Sequence, residues 1–143
     1  DPAHVILLYE LEPYLIEGHI WVADLPSLCD AKIHQWLGLS TKGNYQNGCM
    51  QDIHWTDGSF GYFPSYTLGA MYAAQLRFAL ERELGDMGQL IAAGRLPEIF
   101  GWLGRHIWSQ GSLHGTDELI RRATGEALNP QWLRKHLEQR YLK

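Results

Sequence analysis

Apolar residues near the start of the chain recur at the spacing of a helix. The pattern predicts a first helix from His4 to Glu17, and Gly18 is well suited to end it. Pro13 lies inside the pattern and is expected to kink or split the helix, because its ring clashes with the preceding turn. The apolar residues that share one face are Leu7, Leu8, Leu11, Tyr14 and Leu15.

A short extended link at residues 19–22 leads to a second predicted helix. Asp24-Leu25-Pro26 is a suitable start, because proline is favoured in the first turn of a helix. This helix is expected to reach Leu37 and to end at Gly38. The polar stretch 40–48 then predicts a surface loop.

The clearest helical pattern begins at Leu68. Its apolar positions form one stripe and its charged positions form the opposite face, as in an amphipathic helix that packs on a core. The stripe contains Leu68, Met71, Tyr72, Leu76, Ala79 and Leu80, and the opposite face contains Arg77, Glu81, Arg82 and Glu83.

Shorter helices are predicted in the remainder of the chain. One covers residues 86–93 and ends at Gly94, and the next starts at Pro97. The apolar side of that second helix contains Ile99, Phe100, Leu103 and Ile107.

Two cap patterns predict the last helices. Thr116 is expected to cap a helix with Asp117 and Glu118 in its first turn, and Asn129-Pro130 is expected to open the final one. The final helix carries Trp132, Leu133, Leu137 and Tyr141 on its apolar side and Lys135, Arg140 and Lys143 towards its end. No stretch predicts a strand, so we expect an all-α fold with residues 1–143 in one helical domain.

Residues 48–66, here named the site segment, follow neither a helical nor a strand period. Glycines and Pro64 supply turn geometry, while His54, Asp52, Tyr62 and Tyr66 supply groups for hydrogen bonding and proton transfer. Ordered loops that combine both kinds of residue often carry function. We therefore expect this segment to organise the functional site.

Composition narrows the possible functions. The chain has 143 residues, 45% of them hydrophobic, which is enough for a core, and a net charge of −4 with scattered basic residues, which disfavours nucleic-acid binding. Its two cysteines, Cys29 and Cys49, have neither the spacing of a metal knuckle nor that of a disulfide framework. With no signal peptide or membrane span in the sequence, a reduced cytoplasmic location is expected.

The site segment carries a family resemblance. It reads Gly48-x-x-Gln51-Asp52-x-His54-Trp55 and then Gly58-Ser59-Phe60-Gly61-Tyr62-Phe63-Pro64. This pattern resembles a signature of the carboxypeptidase Taq family of zinc metallocarboxypeptidases. Further matches cover nearly the whole chain, at Tyr9-Glu10-Leu11-Glu12, Leu15-Ile16-Glu17-Gly18, Asp24-Leu25-Pro26, Tyr66-x-Leu68-Gly69-x-x-Tyr72-Ala73-Ala74-Gln75 and Asp117-Glu118-Leu119-Ile120-x-x-Ala123-Thr124-Gly125-Glu126.

The resemblance implies a role in binding a peptide substrate. It covers only about the last third of such an enzyme, so we expect a C-terminal portion that forms one wall of the substrate groove. His54 and Tyr62 are expected to donate hydrogen bonds to a peptide carbonyl, oxyanion or terminal carboxylate. The residues expected to bind or orient substrate beside them are Gln51, Asp52, Trp55 and Tyr66. The structural alternative is that His54 is a half-buried histidine with satisfied partners and the tyrosines are packing residues.

The zinc site that the resemblance implies is missing from this chain. The family binds zinc through a His-Glu-x-x-His helix, in which the two imidazoles share one face and the glutamate acts as general base. The seven histidines here are at 4, 19, 34, 54, 106, 114 and 136, and no two are four residues apart. We expect no metal and no activity in this chain alone, with zinc supplied by a partner N-terminal half.

Some positions depart from the family pattern. Leu8 stands where the family usually has an arginine that suits bidentate capture of a carboxylate. Cys29-Asp30 replaces a Trp-Asn pair, and Trp108 and Gln110 stand where histidines are expected.

These departures leave three interpretations. The first is the groove portion of a carboxypeptidase. The second is a non-catalytic helical remnant that binds peptides or dimerises, which the change at Leu8 favours, and the third is an ordinary helical interaction domain. By analogy with the family a homodimer is expected, with exposed aromatics such as Trp21, Trp36 or Trp108 as contacts.

Overall fold

The regular secondary structure in the part of the chain that the structure describes is helical. The computed structural model describes residues 2–142 and contains no strand there, which confirms the all-α prediction. The α-helices are α1 (Pro2–Ile16), α2 (Leu25–Leu37), α3 (Pro64–Leu84), α4 (Met87–Ala92), α5 (Leu96–His106), α6 (Thr116–Thr124) and α7 (Gln131–Tyr141), with short 3₁₀-helices at Val22–Asp24 and Trp108–Gln110. None of the helices so described has the length and apolar character needed to cross a bilayer.

The helices belong to two compact units, divided between Thr67 and Leu68 within α3. The expectation of one domain over residues 1–143 stays a prediction.

The first unit is built on the packing of α1 against α2. Its buried core contains Val5, Leu7, Leu8, Leu11, Leu25, Cys29 and Phe63. Pro13 lies within a continuous α1, so of the two predicted effects, a kink or a split, the split does not occur. Trp36 packs against this core and is half-buried, whereas Trp21 is 80% exposed.

The ends of α2 follow the sequence signals. Pro26 occupies the first turn, and Gly38 ends the helix in the left-handed conformation with its N–H donating to the carbonyl of His34. The preceding link is shorter than predicted. Trp21 is extended, but Val22 already starts a 3₁₀-helix, because the Asp24 side chain accepts a hydrogen bond from the Trp21 backbone N–H at 3.0 Å.

Helix α3 begins earlier than the site segment ends. Pro64, with its fixed φ, starts the helix, so Tyr66 lies in the first turn of α3 and not in a loop. The predicted stripe is also shifted. The buried residues of α3 are Ala74, Gln75, Phe78, Ala79 and Leu80, while Leu68 is exposed.

The second unit has its own apolar core. Trp102 from α5 is fully buried among Ala79, Leu80, Leu90 and Ile99. The predicted apolar side of α5 was therefore misplaced at one position. Phe100 is more than half exposed, because the buried face passes through Ile99 and Trp102.

Gln75 is the polar centre of the second unit. Its amide nitrogen donates to the hydroxyl of Thr124 at 2.9 Å and to the carbonyl of Ala127 at 3.0 Å. Its oxygen accepts from the backbone N–H of Asn129 at 2.8 Å. This one buried side chain therefore satisfies the backbone of the connection between α6 and α7.

The starts of α6 and α7 differ in detail from the predicted caps. Gly115 is the cap of α6 and Thr116 is already helical, although Asp117 and Glu118 lie in the first turn as expected. Before α7, the side chain of Asn129 accepts from the backbone N–H of Gln131 at 3.0 Å, as a capping residue does. Lys143, placed in the final helix by the sequence, lies outside the described residues.

The connection between α6 and α7 also holds a stabilised carboxylate. Hydrogen bonds from the side chains of Asn129, at 3.1 Å, and Trp132, at 2.7 Å, keep the pKa of Glu126 below its usual value. The same hydrogen bonds therefore favour the ionised form of Glu126 in the folded unit.

We predict that Gln75→Met lowers the free energy of unfolding by roughly 2–4 kcal/mol, because it preserves volume but leaves several buried polar groups without a partner. Urea unfolding followed by circular dichroism measures this change. Gln139→Met on the exposed surface of α7 is the matched control. A loss in Gln75→Met no larger than in the control would contradict the role of Gln75.

Candidate functional site

The site segment is folded by close backbone contacts. A Cβ atom at Gly48 would lie 2.7 Å from the carbonyl oxygen of Asn44, so only glycine fits there without a shift of the backbone. Gly61 has φ of +76°, in the left-handed region that favours glycine. These two positions explain why the segment is rich in glycine where it turns.

A buried carboxylate of α1 anchors the second half of the site segment. Glu12 is 9% exposed, and its Oε2 accepts a hydrogen bond from the Trp55 indole N–H at 2.7 Å. Its Oε1 accepts from the backbone N–H of Gly61. A buried charge is tolerated only when it is hydrogen-bonded, and both oxygens of Glu12 have a donor from the segment.

A second residue of α1 anchors the first half of the segment. The Nε2 of His4 is paired with Oδ2 of Asp52, and the side-chain amide of Gln51 lies 3.2 Å from Nδ1 of His4. Asp52 also faces His54, with its Oδ1 3.7 Å from Nδ1 of that ring. Asp52 therefore stands between the two imidazoles.

His54 lies in a group of aromatic rings. It stacks on Tyr62, with centroids 5.6 Å apart and planes at 21°, and meets Tyr66 edge-on at 5.7 Å. The ring of Phe63 packs against it at 4.6 Å. We call His54, Tyr62 and Tyr66 the aromatic triad. Its two tyrosines are 49% and 48% exposed, so their hydroxyl-bearing rings reach solvent.

The two ring nitrogens of His54 have different surroundings. Nε2 lies 2.9 Å from the hydroxyl of Tyr66, whereas Nδ1 is buried without a hydrogen-bond partner. The carboxylate of Asp52 on the Nδ1 side favours the tautomer that carries its hydrogen on Nδ1. Nε2 then accepts a hydrogen bond that the Tyr66 hydroxyl donates. His54 is thus half-buried but not fully satisfied.

Phe63 fixes the relation between these groups. It is 3% exposed, belongs to the core of the first unit, and packs edge-on against His4 at 6.5 Å and Trp55 at 6.1 Å. Because the same ring also contacts His54, one apolar support is shared by His4, by the Trp55 indole that bonds to Glu12, and by the aromatic triad.

The six residues named from the sequence occupy three different settings in the site segment. His54, Tyr62 and Tyr66 form the triad, while Gln51 and Asp52 face His4 and the indole N–H of Trp55 is committed to Glu12. Sequence reasoning assigned no role to His4 or Glu12. The available signal was their spacing, because His4, Leu8 and Glu12 are four residues apart and share one helix face.

A cavity of about 350 Å³ adjoins the first half of the segment. Leu8 lines it and is only 2% exposed, so the position where the family has an arginine is part of the core here. Both cysteines line the same cavity and are unpaired. Burial raises the pKa of Cys29 to about 11, and the proximity of Cys49 adds to this shift.

A catalytic metal needs at least three protein ligands that converge on one point. Within residues 2–142, no group of three or more His, Cys, Asp or Glu side chains is arranged in this way. The described residues therefore do not by themselves fit a catalytic metal ion.

The first unit is an all-α unit that presents hydroxyl and imidazole groups beside two buried anchors. Residues 2–141 match the carboxypeptidase Taq (M32) metallopeptidase family. The chain belongs to this family, which confirms the resemblance seen in the sequence.

Individual relatives agree with this assignment. Carboxypeptidase 1 of Bacillus subtilis is 38% identical over 140 residues, which are 98% of this chain and 28% of that protein. Thermostable carboxypeptidase 1 of Thermus thermophilus is 38% identical over 138 residues, 96% of this chain and 27% of the relative. The solved structure of metallocarboxypeptidase 1 from Trypanosoma cruzi superposes with a TM-score of 0.92 at 48% identity, over 99% of this chain and 30% of that one. The chain thus spans less than a third of the length of these relatives.

We predict that a thiol reagent at pH 8 modifies Cys49 well before Cys29 in the folded chain. Cys49 is only partly buried, whereas Cys29 is buried and its raised pKa keeps it in the unreactive thiol form. Mass spectrometry of peptides from the labelled protein measures the order, with urea-unfolded chain as the control in which both react. Equal labelling of Cys29 in the folded chain would contradict this assignment.

Proposed function

We propose that this chain forms one wall of the substrate groove of a zinc-dependent metallocarboxypeptidase, which removes C-terminal amino acids from peptides. The observation that carries the proposal is the aromatic triad, whose exposed tyrosines and half-buried imidazole lie in the segment that carries the family signature. Membership of the family supports the reaction class, and the triad supplies groups that suit it.

Tyr62 and His54 are the proposed hydrogen-bond donors. Peptide hydrolysis develops negative charge on the carbonyl oxygen, and the product carries a new carboxylate, so donors fixed in place stabilise both. The hydroxyl of Tyr62 can donate as it stands. His54 donates to substrate through Nε2 in its protonated form, once the substrate oxygen takes the place of the Tyr66 hydroxyl that lies 2.9 Å from Nε2.

The other predicted residues orient these donors or shape the groove. Tyr66 holds Nε2 of His54 through its hydroxyl at 2.9 Å. Asp52 and Gln51 connect the triad to His4, and Trp55 holds the segment to α1 through its hydrogen bond to Glu12. We propose that Gln51 and Asp52 reach substrate from the edge of the groove.

Zinc belongs to the proposed complete enzyme and not to this chain alone. When bound, zinc in this class activates a water molecule and polarises the scissile carbonyl. We propose that a His-Glu-x-x-His helix in an N-terminal half holds it. The contribution of the present chain is to bind and orient the peptide.

Leu8 takes no part in recognition of the terminal carboxylate. A buried leucine cannot form the paired hydrogen bonds with which arginine recognises a terminal carboxylate. Carboxylate recognition is therefore assigned to the aromatic triad and not to position 8.

The proposed role can be tested in a chimaeric enzyme. In Bacillus subtilis carboxypeptidase 1, the segment that this chain matches is replaced by the present sequence, and hydrolysis of a blocked dipeptide is measured with zinc. The chimaera is expected to turn over, while Tyr62→Phe and His54→Ala lower kcat about 10²-fold, because each removes a donor to the developing charge.

The control variant is Tyr45→Phe, which removes a hydroxyl from another exposed tyrosine of the same unit. It should leave kcat unchanged, and the isolated chain with added zinc should show no turnover. Full activity in both triad variants would show that His54 and Tyr62 do not donate hydrogen bonds during hydrolysis.

The alternative is a non-catalytic helical module that binds peptides or forms a homodimer. The exposure of Trp21 at 80% and Trp108 at 58% favours it, since large apolar side chains on a surface often mark contacts. A cytoplasmic location is proposed on the two unpaired cysteines, and fractionation of the source cells would check it.

If the chain dimerises through Trp21, its sedimentation coefficient should rise with protein concentration, and Trp21→Ser should weaken that rise because it removes the largest exposed apolar surface. Sedimentation velocity from micromolar to millimolar concentration measures this. Tyr45→Phe again serves as the control. A chain that stays monomeric throughout would argue against the homodimer.

A further inference from the structure

Glu12 is a charged side chain on the apolar face of a helix. Its neighbours on that face, Leu8 and Leu11, are buried in the core of the first unit. A carboxylate in such a place costs stability unless its oxygens are hydrogen-bonded. Both of its observed donors come from the site segment, and both are more than forty residues away in sequence.

The two donors flank the aromatic triad along the chain. Trp55 directly follows His54, and Gly61 directly precedes Tyr62. The carboxylate therefore fixes the backbone next to two members of the triad at once. In addition, Trp55 and His54 both pack on Phe63, so a movement of the indole also changes the support of the imidazole.

We infer that Glu12 is a positioning residue, which sets the stacking of His54 on Tyr62 by holding Trp55 and Gly61 with one carboxylate. It acts through these two residues, which donate its observed hydrogen bonds. The inference builds on the proposed function only in its consequence for catalysis, because the geometry can be measured in this chain alone.

The substitution Glu12→Gln has nearly the same shape but offers only one acceptor oxygen, and its NH₂ group faces a second donor. One of the two hydrogen bonds must therefore be lost. Glu10→Gln is the matched control. Glu10 lies on the same helix, is half-buried, and pairs with Lys32 of α2 and not with the site segment.

The test uses nuclear magnetic resonance on the 143-residue chain. In Glu12→Gln we expect the indole N–H signal of Trp55 or the amide signal of Gly61 to shift, and its hydrogen exchange to speed up at least about tenfold. The ring protons of His54 should shift as well, since they lie over the face of Tyr62. Glu10→Gln should leave all three sets of signals unchanged.

Two results would overturn the inference. One is a Glu12→Gln chain in which the signals of Trp55, Gly61 and His54 match those of the unsubstituted chain. The other is available even if that variant does not fold. In the unsubstituted chain, a Trp55 indole or Gly61 amide that exchanges as fast as an unstructured peptide excludes the proposed hydrogen bonds.

The chimaeric enzyme separates this inference from the proposed function. There Glu12→Gln is expected to lower kcat about 10- to 100-fold, because small displacements of positioned groups cost that much. An unsubstituted chimaera without activity would count against the proposed function, and the resonance measurements would still decide the role of Glu12.

Discussion

The first unit depends on one buried carboxylate. Glu12 lies inside a helix that is otherwise apolar on that face, and water cannot solvate it there. The site segment supplies the hydrogen bonds that water would supply, from the Trp55 indole and the Gly61 backbone. The segment is long and has no regular secondary structure before α3, so a strong, directional interaction of this kind is what gives it one conformation.

The second unit solves a similar problem with a neutral group. Gln75 is buried in α3 and bonds to a hydroxyl, a carbonyl and a backbone N–H around the connection between α6 and α7. In both units a single polar side chain on a helix orders an irregular segment that follows much later in the chain. The carboxylate of Glu12 only accepts, from two donors that flank the candidate site in the chain. The amide of Gln75 both donates and accepts, and its partners are a side-chain hydroxyl and backbone groups.

Local signals in the sequence were enough to predict most of the helices. Gly38 and Gly94 end helices where glycine was expected to, whereas α3 starts at Pro64, before the predicted start at Leu68. Burial was harder to predict. Phe100 is exposed although it fits the helical period, and Gln75 is buried although it is polar, because tertiary packing decides which part of a helix faces the core.

The sequence predicted which residues of the site segment cluster, but it did not predict which residues of α1 hold them. The site segment was recognised from glycines, aromatics and titratable groups, and the structure brings those residues together. The anchors His4 and Glu12 were not assigned, because their partners lie 43 to 49 residues away and no local pattern reveals such a pairing. The carboxypeptidase Taq signature identified the site segment, but it did not indicate that α1 anchors this segment.

The spacing of the two anchors on α1 limits how this helix can change during evolution. His4 and Glu12 are eight residues apart, which is about 12 Å along the axis of an α-helix. A single inserted or deleted residue between them would rotate one anchor by about 100° relative to the other. Side chains between the anchors can be exchanged as long as the core stays filled, but the length of the interval cannot drift. The distance between the two anchors on α1 therefore sets the distance between the two halves of the site segment that they hold.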